Sequence, residues 1–81
     1  MKQNTNLKKY NGHRSWNAWN VSLWLNNDYA LYKRIEESLA KMGLEKTINI
    51  ITHELEGLKT QDGAIYNRLS IKEAIIGMTN E

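Results

Sequence analysis

The side chains able to do covalent or acid–base chemistry in this chain are few and scattered. There is no cysteine, and the two histidines, His13 and His53, belong to different segments. A transition-metal site needs several His, Cys or carboxylate ligands gathered by their spacing. His53-Glu54 opens like the helix of a zinc protease, but Gly57 stands where the second histidine would be required. Glu54 and Glu56 are two residues apart. On a helix that spacing points them to different faces, so they cannot work as a pair. The five glycines are isolated turn or cap residues and make no phosphate-cradling loop. No Ser/His/acid triad can be read from so few residues. The expectation is a protein that is not an enzyme and takes no metal or cofactor.

Binding chemistry is concentrated instead. Lys8, Lys9, Tyr10, His13 and Arg14 lead directly into Trp16, Trp19 and Trp24, the chain's three tryptophans. Basic groups neutralise phosphates, and aromatic faces stack on bases. Tyr, Trp and Arg are also the types enriched where proteins bind proteins most tightly. Residues 1–27 carry Lys2, Lys8, Lys9 and Arg14 and no acid, whereas residues 28–81 carry seven basic against nine acidic groups. The later helices therefore have mixed charge, and none offers the basic stripe of a recognition helix. The reading favoured is protein binding through Lys8, Lys9, Tyr10, His13 and Arg14, with direct nucleic-acid contact as the alternative.

Four helices would position these groups. Asn11-Gly12 marks a turn, and Ser15 can cap a first helix carrying Trp16, Trp19 and Leu23 at spacings of three and four. Ala18, Val21 and Leu25 line an adjacent stripe. At this spacing the tryptophans are expected to build the core. A strand competes, because Trp19, Val21, Leu23 and Leu25 also alternate with their neighbours. Asp28 can cap a second helix with a stripe of Leu31, Ile35, Leu39 and Met42. Gly43 would end it in a left-handed conformation, with Leu44 folding back. A third helix, Glu45 to Leu58, carries a heptad-like seam of Leu44, Ile48, Ile51, Leu55 and Leu58, expected to pack on the second. Thr60 to Gly63 reads as a turn. Ser70-Ile-Lys-Glu73 reads as a capping box opening a last helix with Ile71, Ala74, Ile75 and Met78 inside. Ile65, Tyr66 and Leu69 would close the core. The fold class expected is all-α, a small compact bundle of about four helices. Residues 1–9 are expected to form a flexible basic arm and residues 10–81 a single helical domain.

A chain of 81 residues buries only roughly 60% of its unfolded surface, so its stability is marginal. With no disulfide available, large aromatic side chains or self-association are the remaining means of support, and a homodimer stays open. The start of the chain has no apolar signal core. No apolar run approaches the roughly 20 residues of a membrane span. A soluble protein without membrane contact is expected.

The run Tyr10-Asn11-Gly12, Trp16, Trp19-Asn20-Val21-Ser22-Leu23-Trp24-Leu25-Asn26-Asn27-Asp28 and Leu31-Tyr32 resembles a family of small uncharacterised proteins of bacteriophages and other mobile elements. The resemblance covers about 25 of the 81 residues and adds little beyond Gly43. It implies origin more than mechanism. Small phage proteins without catalytic residues often bind and block host machinery, anti-CRISPR and anti-restriction proteins being the best-known group. The function it implies is non-catalytic inhibition of a bacterial defence nucleoprotein complex, in the cytoplasm of the bacterial host. The alternatives are a nucleic-acid-binding accessory protein and a self-assembling phage structural module. The family supplies no catalytic residues to carry over.

Overall fold

Ser15, itself extended, starts the first helix by accepting a hydrogen bond from the Ala18 amide at 3.2 Å. The computed structural model describes residues 15–79. Within it the chain forms α1 (Trp16–Asn27), α2 (Tyr29–Met42), α3 (Leu44–Leu55) and α4 (Arg68–Thr79). Among the described residues the expected all-α bundle of four helices is what forms. The alternation of apolar residues over Trp19 to Leu25 does not produce a strand: the segment is helical throughout.

The junctions explain the brevity of the connections. Asp28 serves two helices at once. Its amide donates to Trp24 O at 3.2 Å, closing α1, and its carboxylate accepts from the Leu31 amide at 3.1 Å, opening α2. Gly43 does the same with backbone alone: its amide donates to Leu39 O at 3.1 Å and its carbonyl accepts from the Thr47 amide at 3.2 Å. This needs φ of 87°, a conformation costly for any residue with a Cβ. Leu44 does not fold back on α2 but begins α3 and stays exposed. α3 also stops earlier than its seam predicts, at Leu55, leaving Leu58 outside the helix and exposed. Ser70 is not the start of α4. Asn67 caps it, accepting from the Ser70 amide at 2.9 Å, while the Asn67 amide donates back to Ser70 Oγ at 3.2 Å. The reciprocal box exists, three residues upstream of its expected place.

The core is aliphatic. Val21, Leu25, Ile35, Ile48, Ile51, Ala64, Ile71, Ala74 and Ile75 form one buried cluster, edged by Leu31, Leu39, Leu55, Tyr66 and Met78. α4 packs on α1 and α3, and α2 on α3 and α1. The Ile48–Ile51 seam of α3 is therefore covered by α4 as well as by α2. Ile65 and Leu69 do not close this core; both are exposed, and Tyr66 alone of that trio packs on it. The tryptophans are absent from it too. Val21 and Leu25, on the stripe adjacent to Trp16, Trp19 and Leu23, are the fully buried residues of α1 that join it. Small and branched side chains fit where α1 and α4 approach, and bulky indoles are displaced to the flanks.

Across the surface of the bundle, the Arg34 guanidinium of α2 forms an ion pair with Glu54 of α3. Ser38 and Thr47 share a hydrogen bond at 2.8 Å between the same helices. Thr52 is the exception to polar satisfaction among the described residues: its hydroxyl is buried with no partner. An unpaired buried hydroxyl carries its desolvation cost uncompensated. Thr52→Val keeps the β-branched shape and deletes that hydroxyl, so it should stabilise the fold by about 0.5–1.5 kcal/mol. The check is the urea midpoint followed by circular dichroism; an unchanged or lowered midpoint contradicts the expectation.

Candidate interaction surface

Between α3 and α4 the chain runs through residues 56–67 with almost no regular structure. A short hairpin is held by Gly57 N to Tyr66 O (3.0 Å), Tyr66 N to Leu58 O (2.9 Å) and Thr60 N to Ala64 O (2.8 Å). Its tip is the turn expected at Thr60–Gly63, closed by Gly63 N to Thr60 O at 3.0 Å. Gly63 has φ of 96°. A Cβ added there would meet nothing within 4 Å, so the glycine is needed for its backbone conformation rather than for space.

One face of α1 fastens this hairpin. Asn20 is 1% exposed. Its Nδ2 donates to Asp62 Oδ2 at 2.9 Å, and its Oδ1 accepts from the Thr60 hydroxyl at 2.6 Å. The Thr60 oxygen in turn accepts from the Ala64 amide at 3.0 Å. One turn along α1, Trp24 Nε1 donates to the same Asp62 Oδ2 at 3.0 Å. One turn back, Asn17 reads the backbone of Ile65 in both directions: Ile65 N donates to Asn17 Oδ1 at 2.7 Å, and Asn17 Nδ2 donates to Ile65 O at 2.9 Å. The order of donors allows one orientation of Asn20, because an ionised carboxylate can only accept. The hydrogen bonds from Asn20 and then Trp24 hold the Asp62 carboxyl below its ordinary range.

This latch assigns work to much of the aromatic, asparagine-rich run. Asn17, Asn20 and Trp24 grip the hairpin, Val21 and Leu25 enter the core, and Asp28 joins two helices. Asp62 is the partner that sequence reasoning missed. It was legible only as a turn residue, because nothing local ties it to Asn20, 42 positions earlier.

What remains of α1 is outward. The helix has no charged side chain. Trp16 is 40% and Leu23 37% exposed, seven residues apart and so on one face. Trp19 and Trp24 are half-buried, which corrects the expectation that the tryptophans form the core. Tyr29, at the start of α2, is 74% exposed. The site residues read from sequence, Lys8, Lys9, Tyr10, His13 and Arg14, lie outside the described residues. In sequence they enter the fold at Ser15, immediately before Trp16. Among the described residues no surface pocket opens, and no three His, Asp or Glu side chains stand close enough to share a metal ion. No described helix is long and apolar enough to cross a membrane.

Residues 6–81 match DUF7249, a family of unknown function, over nearly the whole chain. The chain belongs to that family. No curated protein and no solved structure matches it. The span that defines this DUF7249 member takes in the basic segment, α1, the hairpin and α4 together, so both the latch and the outward face of α1 lie within it.

The latch is testable by stability. Asn20→Ala strands the Thr60 hydroxyl and removes one donor from Asp62, and should cost about 1–3 kcal/mol. Asp62 contributes in a defined pH window. Its folded pKa is lowered, so its contribution is present above the ordinary carboxylate range, about pH 4, and is lost as pH falls through the lowered value. The stability gap between wild type and Asp62→Asn should therefore be full at neutral pH and narrow in acid. Urea titrations at neutral pH and near pH 3 measure it; a constant gap means that the carboxylate charge plays no part.

Proposed function

We propose that this DUF7249 protein is a non-catalytic, phage-encoded binding protein that inhibits a bacterial defence nucleoprotein complex in the host cytoplasm, in the manner of an anti-CRISPR inhibitor. The observation that carries the binding reading is the outer face of α1. A charge-free helix exposing Trp16 and Leu23 is costly to leave in water and well suited to a desolvated protein contact. The segment before it supplies Lys8, Lys9, Tyr10, His13 and Arg14, which suit a charged and polar rim around that contact. The choice of a defence complex as target rests on the resemblance of the Tyr10–Tyr32 run to phage and mobile-element proteins.

Such a protein would act stoichiometrically, by covering a nucleic-acid or nuclease surface of the effector or by locking its conformation. Expression in a host carrying a nuclease-based defence should restore phage plaquing. Trp16→Ala and the Lys8/Lys9/Arg14 triple alanine variant should each reduce rescue by about tenfold or more, a loss equivalent to about 1.4 kcal/mol of binding, while circular dichroism stays unchanged. Failure to rescue against a panel of such defences sinks the proposal. A DNA mobility shift with a steep salt slope, abolished in the triple variant, would replace it with the nucleic-acid-binding alternative.

A further inference from the structure

The hairpin is attached to α1 almost wholly by polar side chains, and that sets how it can move. Of residues 58–65, only Thr60 and Ala64 are buried. Ala64 is the one apolar side chain that this segment gives to the core, while Leu58 and Ile65 are exposed. The segment starts after Gly57, just past α3, and ends before Tyr66, which packs on the edge of the core. Its backbone pairs largely with itself, through Thr60 N to Ala64 O and Gly63 N to Thr60 O, with Tyr66 N to Leu58 O at the base. None of the described backbone–backbone bonds joins it to α1. The bonds that do so all end on α1 side chains. Asn17 holds both backbone groups of Ile65, Asn20 holds Asp62 and Thr60, and Trp24 holds Asp62.

The two kinds of attachment in this fold differ in what release costs. A hydrogen bond opened to solvent is replaced by one to water, so its net contribution is small. Separating α1 from α4 instead exposes Val21, Leu25, Ile71 and Ile75, and water offers apolar groups no such replacement. A segment with few buried apolar contacts therefore opens before the helices do. The bonds also share atoms. Asp62 Oδ2 accepts from both Asn20 and Trp24, and the Thr60 hydroxyl that donates to Asn20 also supports the Ala64 amide. Loss of one loosens the next, so the set is released together.

We propose that residues 58–65 form a strap that swings off α1 as one unit, between Gly57 and Tyr66, while the four helices stay packed. Closed, the strap occupies the Asn17 and Asn20 carboxamides and the Trp24 indole N–H. Open, it turns these donors and acceptors to solvent, on a different side of α1 from Trp16 and Leu23. The helix then has one surface that is always presented and a second, polar one that the strap gates.

Native-state hydrogen exchange of the full chain, followed residue by residue by NMR, tests this. The Ile65 amide reports directly, because its acceptor is the Asn17 carboxamide. The Ala64 amide reports through Thr60. Corrected for intrinsic rates, both should exchange about tenfold or more faster than the slowest amides of residues 21–25 and 71–75. Dilute urea should accelerate them little, the mark of a small opening. Trp24→Phe deletes one donor to Asp62 and keeps a ring; Asp62→Asn is the second variant and removes the shared charged acceptor. Neither residue bonds Ile65, yet each substitution should speed Ile65 exchange by about threefold or more. The inference is overturned if Ile65 and Ala64 exchange as slowly as the helix amides and with the same urea slope, because the strap then opens only when the bundle unfolds. It is also overturned if Ile65 exchanges fast but is indifferent to both variants, because the bonds then break one at a time.

Discussion

The buried amide of Asn20 is the constraint on which the rest of this structure depends. A helix with no charged side chain is pressed on one side by α4 and the aliphatic core. On another side lies a hairpin that has hardly any regular structure of its own. The Asn20 amide joins the two: one end takes the Thr60 hydroxyl, the other holds the Asp62 carboxylate. Thr60 then organises the turn through Ala64, which is fully buried in the core. Removing one member leaves another polar group stranded near the interior, and such networks are worth more intact than pairwise sums suggest. In a chain of 81 residues with a single small core, that coupling ties the hairpin to the bundle where a larger protein would use buried area.

The latch also decides how the tryptophans are used. Trp24 is committed through its indole N–H, which needs an acceptor at the surface of the bundle and so keeps the ring half out of the core. Once Asn20 and Trp24 face the hairpin and Val21 and Leu25 face α4, the 3.6-residue turn leaves Trp16 and Leu23 on the remaining side. Their exposure follows from the register of α1, which the latch and the core set together. The aromatic residues of the run are divided between fastening the fold and presenting a surface.

That division marks where the sequence could be read and where it could not. Helix number, the Ser15 and Asp28 caps and the Ile48–Ile51 and Ile71–Ile75 stripes were legible because each is local: a capping oxygen or a three-to-four spacing acts within one turn. The identity of the inner face of α1 was not. Two adjacent apolar stripes lie on it, and size favoured the one with tryptophans, whereas close approach of α4 selects the smaller one. The cap of α4 was displaced because Asn67 and Ser70 both carry capping chemistry, and only the hairpin exit selects between them. Asp62 was invisible as a partner of Asn20, and Ile65 as a partner of Asn17. Both depend on contacts with α1 more than forty residues away, which no periodicity encodes.

The split between latch and surface bears on what membership of DUF7249 can mean. The most distinctive residues of the Trp19–Asp28 run are explained by folding: Asn20 and Trp24 hold the hairpin, Val21 and Leu25 fill the core, Asp28 joins α1 to α2. A match built on such residues tracks the scaffold. The side chains left free by that work, Trp16, Leu23, Ile65 and Leu69, can change without disturbing the latch or the core. Membership of the family therefore speaks for the scaffold, and a shared scaffold does not by itself fix a shared function.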